Sequence, residues 1–136
     1  MTDLVVEGGK RLHGTVAVQG AKNSVLPILA ATFLCDKPCV IHNCPELSDV
    51  ETCLRILAHL GCSCFREGDT VGVDASGAEH YEIPEKLMRE MRSSVVFLGA
   101  ILGKLGRAVI SSPGGCELGP RPIDLHLDAL KKMGLK

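Results

Sequence analysis

Val50, Leu54, Leu57 and Leu60, closed by Gly61, recur at the same mutual spacing as Ile123, Leu127, Leu130, Met133 and Gly134. Apolar residues three and four apart make one face of a helix, and a glycine just past the last of them is a common stop. A chain that writes one helix twice is built of repeated units, each needing a neighbour for the face it leaves open. The first unit reads β-α-β-α-β-β. Residues 4–7 and 15–19 form short strands, separated by the Gly8-Gly9 turn and Leu12-His13-Gly14. A helix then runs to Cys35, capped by Asn23 or Ser24, because Pro27 is at ease only in a first turn. Residues 39–43 are a strand, Leu47-Ser48-Asp49 opens the repeated helix, and 62–66 with 70–74 flank Glu67-Gly68-Asp69 as a hairpin.

The second unit starts with a strand at 80–83. After Pro84 the pattern predicts one long helix with Leu87, Met91, Val95, Leu98, Leu102 and Leu105 on a single stripe, ended at Gly106. A strand at 108–111, a loop and a helix from Pro122 follow. Only Leu135 and Lys136 come after Gly134, so the second copy lacks its closing hairpin. Such a unit exposes a sheet edge and an apolar helix face, which implies a longer parent chain, a partner chain or self-association.

Composition narrows the class. At 136 residues with 46% hydrophobic content the chain is one domain or part of one, long enough to bury a core without metals or disulfides. Fifteen Lys and Arg against 16 Asp and Glu, with 3% aromatics, supply neither the positive footprint nor the stacking rings that nucleic acid requires. The longest apolar stretches, 25–35 and 95–105, fall short of the ~20 residues that span a bilayer, so no membrane partner is expected. The first residues show no secretory pattern, and a cytoplasmic protein is expected. Seven cysteines are an odd number, several inside periodic apolar segments, and read as buried thiols. Cys62-x-Cys64 and Cys35-x3-Cys39 lack the paired spacings of a zinc site, and neither a metal nor a cofactor is expected.

Two loops carry the candidate chemistry. Gly20-Ala21-Lys22-Asn23-Ser24 joins a strand end to a helix start, where free N–H groups and the helix dipole attract anions and Lys22 adds a charge. The same pentapeptide also reads as a solvent-facing lysine beside a cap. The second loop, from Ser112 to Pro122, is dense in glycine and proline, like a lid. Its Cys116 is the one cysteine outside a periodic apolar segment, hence either a reactive thiol or an incidental one. Arg121 precedes a helix start, where a cation opposes the dipole unless an anion lies between them; a salt bridge to Asp124 or Glu117 would serve as well. Arg92 falls at the margin of the long helix's stripe, reaching a cleft or snorkelling to solvent. The five histidines show no ligand spacing.

Gly20-Ala21-Lys22-Asn23-Ser24-x-Leu26-Pro27, Met91-Arg92-Ser93-Ser94, and Pro113-Gly114-Gly115-Cys116-x-x-Gly119-x-Arg121-Pro122-x-Asp124-Leu125-His126 together resemble the UDP-N-acetylglucosamine enolpyruvyl transferases of peptidoglycan synthesis. The resemblance runs from Leu4 to the last residue but covers only about the first third of such an enzyme. The enolpyruvyl-shikimate-phosphate enzymes share the repeat fold, whereas the Pro-Gly-Gly-Cys loop points to the nucleotide-sugar branch. It implies an α/β fold, an inside-out barrel of β-α-β-α-β-β repeats, of which this chain holds one and a half to two. Residues 1–20 would be strands that pack with the second domain, and 21–136 the N-terminal part of the first.

It further implies phosphoenolpyruvate and UDP-N-acetylglucosamine as partners, with Lys22 on phosphoenolpyruvate and Asn23 on the substrates beside it. Arg92, Arg121, Pro122, Ile123, Asp124 and Leu125 would hold the UDP-sugar, Arg121 also lying near the phosphoenolpyruvate phosphate. Cys116 matches the lid cysteine, the general acid or product-release residue alkylated by fosfomycin. The aspartate that the family places near the sugar hydroxyl has no counterpart here, so this chain by itself is expected to be inactive. The alternatives are a non-catalytic module that binds UDP-sugar or anions or oligomerises, and one half of a split transferase.

Overall fold

The computed structural model describes residues 3–111 and 122–135, and of Arg92 the backbone alone. The elements are α1 (Lys22–Thr32), β1 (Cys39–Ile41), α2 (Ser48–His59), β2 (Ser63–Glu67), β3 (Thr70–Asp74), β4 (Glu82–Ile83), α3 (Glu85–Glu90), a 3-10 turn (Arg92–Val95), α4 (Val96–Leu105), β5 (Val109–Ile110) and α5 (Asp124–Lys132). β1, β3 and β2 form an antiparallel sheet in that order, and β4 pairs with β5 in parallel across the α3–α4 connection. The order α-β-α-β-β followed by β-α-β-α is the expected mixed α/β repeat, the second copy without its hairpin.

The repeat extends to individual hydrogen bonds. At the end of α2 the Cys62 N–H donates to Leu57 O and the Gly61 N–H to Ala58 O; at the end of α5 Leu135 donates to Leu130 O and Gly134 to Lys131 O. Both glycines hold positive φ, 99° and 104°, the left-handed residue that this six-to-one, five-to-two closure requires. The two α2-type helices differ in surroundings. α2 buries Val50, Cys53, Leu54, Ile56 and Leu57, whereas α5 buries nothing and leaves Leu125 and Met133 more than 80% exposed.

Leu26, Leu29 and Phe33 of the α1 segment, Ile56 and Leu57 of α2, Met88 and Met91 around α3, and Phe97 and Ile101 of α4 are essentially inaccessible and form the core. Val71 and Val73 of β3 seal it from the sheet side. On the sheet's outer face the Phe65 ring lies over Gly72, filling the space a Cβ would need.

Four local expectations are corrected. Residues 3–20 contain no strand and lie exposed, with Val5, Val6, Leu12, Val16 and Val18 uncovered, because a strand exists only when hydrogen-bonded to a neighbour and this segment pairs with none of the described strand edges. α1 begins at Lys22, not after Asn23 or Ser24: the Ala21 carbonyl already accepts from Ser24 and Val25 N–H, and Pro27 is carried inside the helix. Proline that near the start costs only the one bond to the Asn23 carbonyl, less than the burial of Leu26 and Leu29 returns. The single long helix from Pro84 is instead broken at Met91, whose φ and ψ are −132° and 119°. The buried Ser94 hydroxyl donates to Met88 O at 3.1 Å, taking the carbonyl that a continuing helix would offer to residue 92. The last helix likewise starts at Asp124, with Ile123 rather than a residue before Pro122 as its N-cap.

Candidate active site

α1 reaches its start through Gly20, which packs so closely on the loop between β1 and α2 that a Cβ there would lie 2.3 Å from the Asn43 carbonyl oxygen. Asn43 is left-handed at φ 55°, turning the loop back toward α2. The Cys44 N–H donates to Asp69 O at 2.7 Å, and the Arg66 guanidinium donates to Cys44 O, Gly68 O and Glu51, so the β2–β3 turn braces the same loop. These contacts bring the N-termini of α1 and α2 side by side.

Lys22, first residue of α1, forms an ion pair with Asp49 in the first turn of α2. A lysine at a helix start opposes the dipole of its own helix, while an aspartate in a first turn complements its own. The pair resolves the conflict: Asp49 serves α2 and neutralises Lys22. Ala21 has no side chain that could cap, so the leading N–H groups of α1 have no side-chain acceptor. Half of the Lys22 side chain stays accessible while Asp49 is largely covered, which leaves one side of the ammonium open to a second anion. Asn23 is exposed next to it.

Asp49 is the residue that sequence reasoning missed. It reads as an acidic opener of α2, and its link to Lys22 is set by the Gly20–Asn43 contact, which no local pattern reports.

The remaining candidates are placed as follows. Cys116 and Arg121 lie outside the described residues. Arg92 opens the 3-10 turn after the Met91 break, and its side chain lies outside the description. Pro122 and Ile123 lead into α5, Asp124 is in its first turn and Leu125 is exposed. Among the described residues no hydrogen bond or ion pair joins 122–125 to Lys22. A depression of about 360 Å³ lined by His59, His80, Tyr81, Glu82 and Pro84 sits at the opposite end of α2 and belongs to a different region.

Four of the described thiols are poor nucleophiles. Burial pushes Cys53 and Cys62 up to about 12 and also raises Cys44 and Cys64. Among the described residues no three His, Cys, Asp or Glu side chains gather as metal ligands, and no helix is long and apolar enough to cross a membrane.

The site sits in a chain with clear relatives. It is 53% identical over 131 residues to UDP-N-acetylglucosamine 1-carboxyvinyltransferase 2 of Caldanaerobacter subterraneus subsp. tengcongensis, covering 96% of this chain and 31% of that protein. It is 48% identical over 134 residues to UDP-N-acetylglucosamine 1-carboxyvinyltransferase of Desulfosudis oleivorans, covering 98% of this chain and 32% of the relative. The chain thus spans about a third of the length of these relatives. Among solved structures it is similar to the enolpyruvyl transferase NikO of Streptomyces tendae, with a TM-score of 0.78 and 29% identity over 93% of this chain and 28% of that one. With residues 6–136 matching the model of the EPSP synthase (3-phosphoshikimate 1-carboxyvinyltransferase) family, the chain belongs to that family.

Proposed function

We propose that this chain is the N-terminal third of an enzyme that transfers the enolpyruvyl group of phosphoenolpyruvate to the 3-hydroxyl of UDP-N-acetylglucosamine, in the cytoplasmic synthesis of peptidoglycan precursors. The observation that carries the reading is the half-open Lys22 ammonium at the start of α1, inside the motif that selected this family, in a chain 53% identical to a transferase of that name.

The methylene carbon of phosphoenolpyruvate takes a proton, leaving a cationic carbon that the sugar hydroxyl attacks as it loses its own proton. The tetrahedral ketal then loses a methyl proton and breaks its carbon–oxygen bond to phosphate, which restores the enol ether. Phosphate charge is present throughout and concentrates on the leaving oxygen. Lys22 and the uncapped N–H groups of α1 hold it, with Arg121 as a second cation, as preorganised charge rather than as proton carriers. Asn23 orients the substrates; Arg92 and the run Pro122, Ile123, Asp124 and Leu125 hold the nucleotide sugar. Cys116, in a stretch of sequence rich in glycine, delivers the proton or assists product release and is the site of fosfomycin alkylation. Residues 1–20 pack with the second domain and 21–136 belong to the first.

The test is a chimera in which this chain replaces the matching N-terminal third of the Caldanaerobacter relative, assayed for phosphate release from phosphoenolpyruvate with UDP-N-acetylglucosamine as acceptor. Turnover that falls roughly a hundredfold on Lys22→Ala, the scale of losing one charge-stabilising group, supports the assignment. A folded, inactive chimera, or one indifferent to Lys22→Ala, overturns it.

A further inference from the structure

The depression at the end of α2 remote from Lys22 has two imidazoles in its wall, those of His59 and His80. Backbone contacts bring them together. Gly61 holds φ 99° where α2 stops, and a Cβ there would come within 3.2 Å of the Ala78 Cα and the Gly77 carbonyl oxygen, so the segment leading to β4 lies flush against the helix end. The His80 N–H then donates to Leu60 O at 3.3 Å, which sets His80 beside His59 in the last turn of α2. The two ring centroids are 6.3 Å apart, and both side chains are exposed.

That spacing suits a shared ion. An imidazole bound through nitrogen keeps its centroid about 3.2 Å from the metal, so two rings on one ion have centroids about 5 Å apart at the tetrahedral angle and about 6.4 Å apart on opposite sides. The observed separation lies inside this range, and small χ rotations of two exposed side chains close it further. The surroundings favour a cation. The C-terminal end of α2 carries the negative end of the helix dipole, and Glu82 lines the same depression. Arg107 is the opposing charge, and its guanidinium stacks 3.9 Å over the Tyr81 ring, where the aromatic face holds it.

We propose that His59 and His80 are a chelating pair for a divalent transition-metal ion of the imidazole-binding class, such as nickel or zinc. One nitrogen of each ring binds the ion. No third His, Cys, Asp or Glu gathers with them among the described residues, so water completes the coordination. Magnesium and calcium, which seek oxygen ligands, do not suit this donor set. His59 belongs to the first repeat unit and His80 opens the second, so a bound ion staples the two units together at the end remote from Lys22. Sequence spacing hides the pair, because the β2–β3 hairpin lies between its members. The inference is independent of the enolpyruvyl transfer reading.

Titrating the full chain, free of any histidine tag, with Ni²⁺ tests the pair through its amide signals, because the paramagnetic ion broadens whatever lies beside it. The expected result is saturable broadening at His59, Leu60, His80 and Tyr81, with thermal unfolding moving to higher temperature as the ion is added. His59→Gln and His80→Gln should each weaken binding roughly a hundredfold, since losing a ligand costs at least as much as losing an outer-shell partner, and should remove the thermal shift. His126→Gln should change neither. Should a variant not fold, the native chain gives the answer: Ni²⁺ should protect His59 and His80 together from diethyl pyrocarbonate and leave His13 and His126 open to it. Broadening confined to the cysteine-bearing segments, binding undiminished in either glutamine variant, or Ni²⁺ that leaves His59 and His80 open to diethyl pyrocarbonate would overturn the proposal.

Discussion

Asp49→Asn isolates the feature on which the site depends, since it removes one charge and changes little in shape. Lys22 stands between two claims: the Asp49 carboxylate holds one side of its ammonium, and the other side is open. If an incoming phosphate takes the open side, Asp49 repels it. One unit charge roughly 6 Å away in a water-like dielectric is worth about 0.7 kcal/mol. An exposed ion pair released from competition adds about 0.2–1 kcal/mol. Together the two give about 1–1.7 kcal/mol, so phosphate should bind the variant roughly five- to twentyfold more tightly, and the gain should shrink as salt rises past the Debye regime. Stability moves the other way. α2 loses an acidic first-turn residue, about 0.3–1 kcal/mol, plus the pair itself. The assay is a titration with inorganic phosphate followed by the amide shifts of Lys22, Asn23 and Ser24, alongside thermal unfolding. Unchanged or weaker phosphate binding in a folded Asp49→Asn chain would refute the competition and recast Asp49 as the group that aims Lys22.

Other expectations follow from the same packing. Cys53 is raised from 9.0 to about 12 by burial, so above pH 9 the unfolded thiol ionises while the folded one does not; stability should fall by about 1.4 kcal/mol per pH unit between pH 9 and 12, and Cys53→Ala should remove that share of the slope in urea unfolding. Ser94→Ala should cost about 1–3 kcal/mol, because the buried Met88 carbonyl loses its donor; a change near zero would mean the helix closes over the break. Gly20→Ala should shift the amide signals around Asn43 and weaken phosphate binding at Lys22, since the Asn43 carbonyl must retreat; an unperturbed spectrum would contradict the close approach. Exposed Leu125 and Met133 of α5 should drive concentration-dependent self-association in sedimentation, relieved by Met133→Lys; a monomer at all concentrations would contradict it.

What could be read from the sequence was what is local. The α2 and α5 stripes, the Gly61 and Gly134 stops and the hairpin around Gly68 each follow from the identity and spacing of neighbouring residues, and each is present. The Lys22 loop is legible for the same reason: a glycine, a cation and a helix start lie within a few positions. Where the reading failed, a distant group decided. Residues 15–19 have the alternation of a strand but pair with no described edge, and alternation supplies a face without supplying a partner. The stripe from Leu87 to Leu105 has unbroken helical spacing, yet one buried hydroxyl at Ser94 diverts a carbonyl and changes the phase, which apolar periodicity does not record.

The same distinction separates the parts of the site. Lys22 and Asn23 were found through their own loop, whereas Asp49 enters only because Gly20 lets two chain segments touch at Asn43. In a repeat fold the local pattern writes each element and the contacts between elements write the chemistry. Among the described residues, 3–20 and α5 are the segments that bury none of their apolar side chains. The Lys22 end of α1 does settle, because its neighbour α2 lies in the same unit and arrives with its own charge. A cation at a helix start, tethered on one side and open on the other, is a half-site: it fixes where an anion comes to rest and leaves the groups that act on that anion to elements beyond α1 and α2.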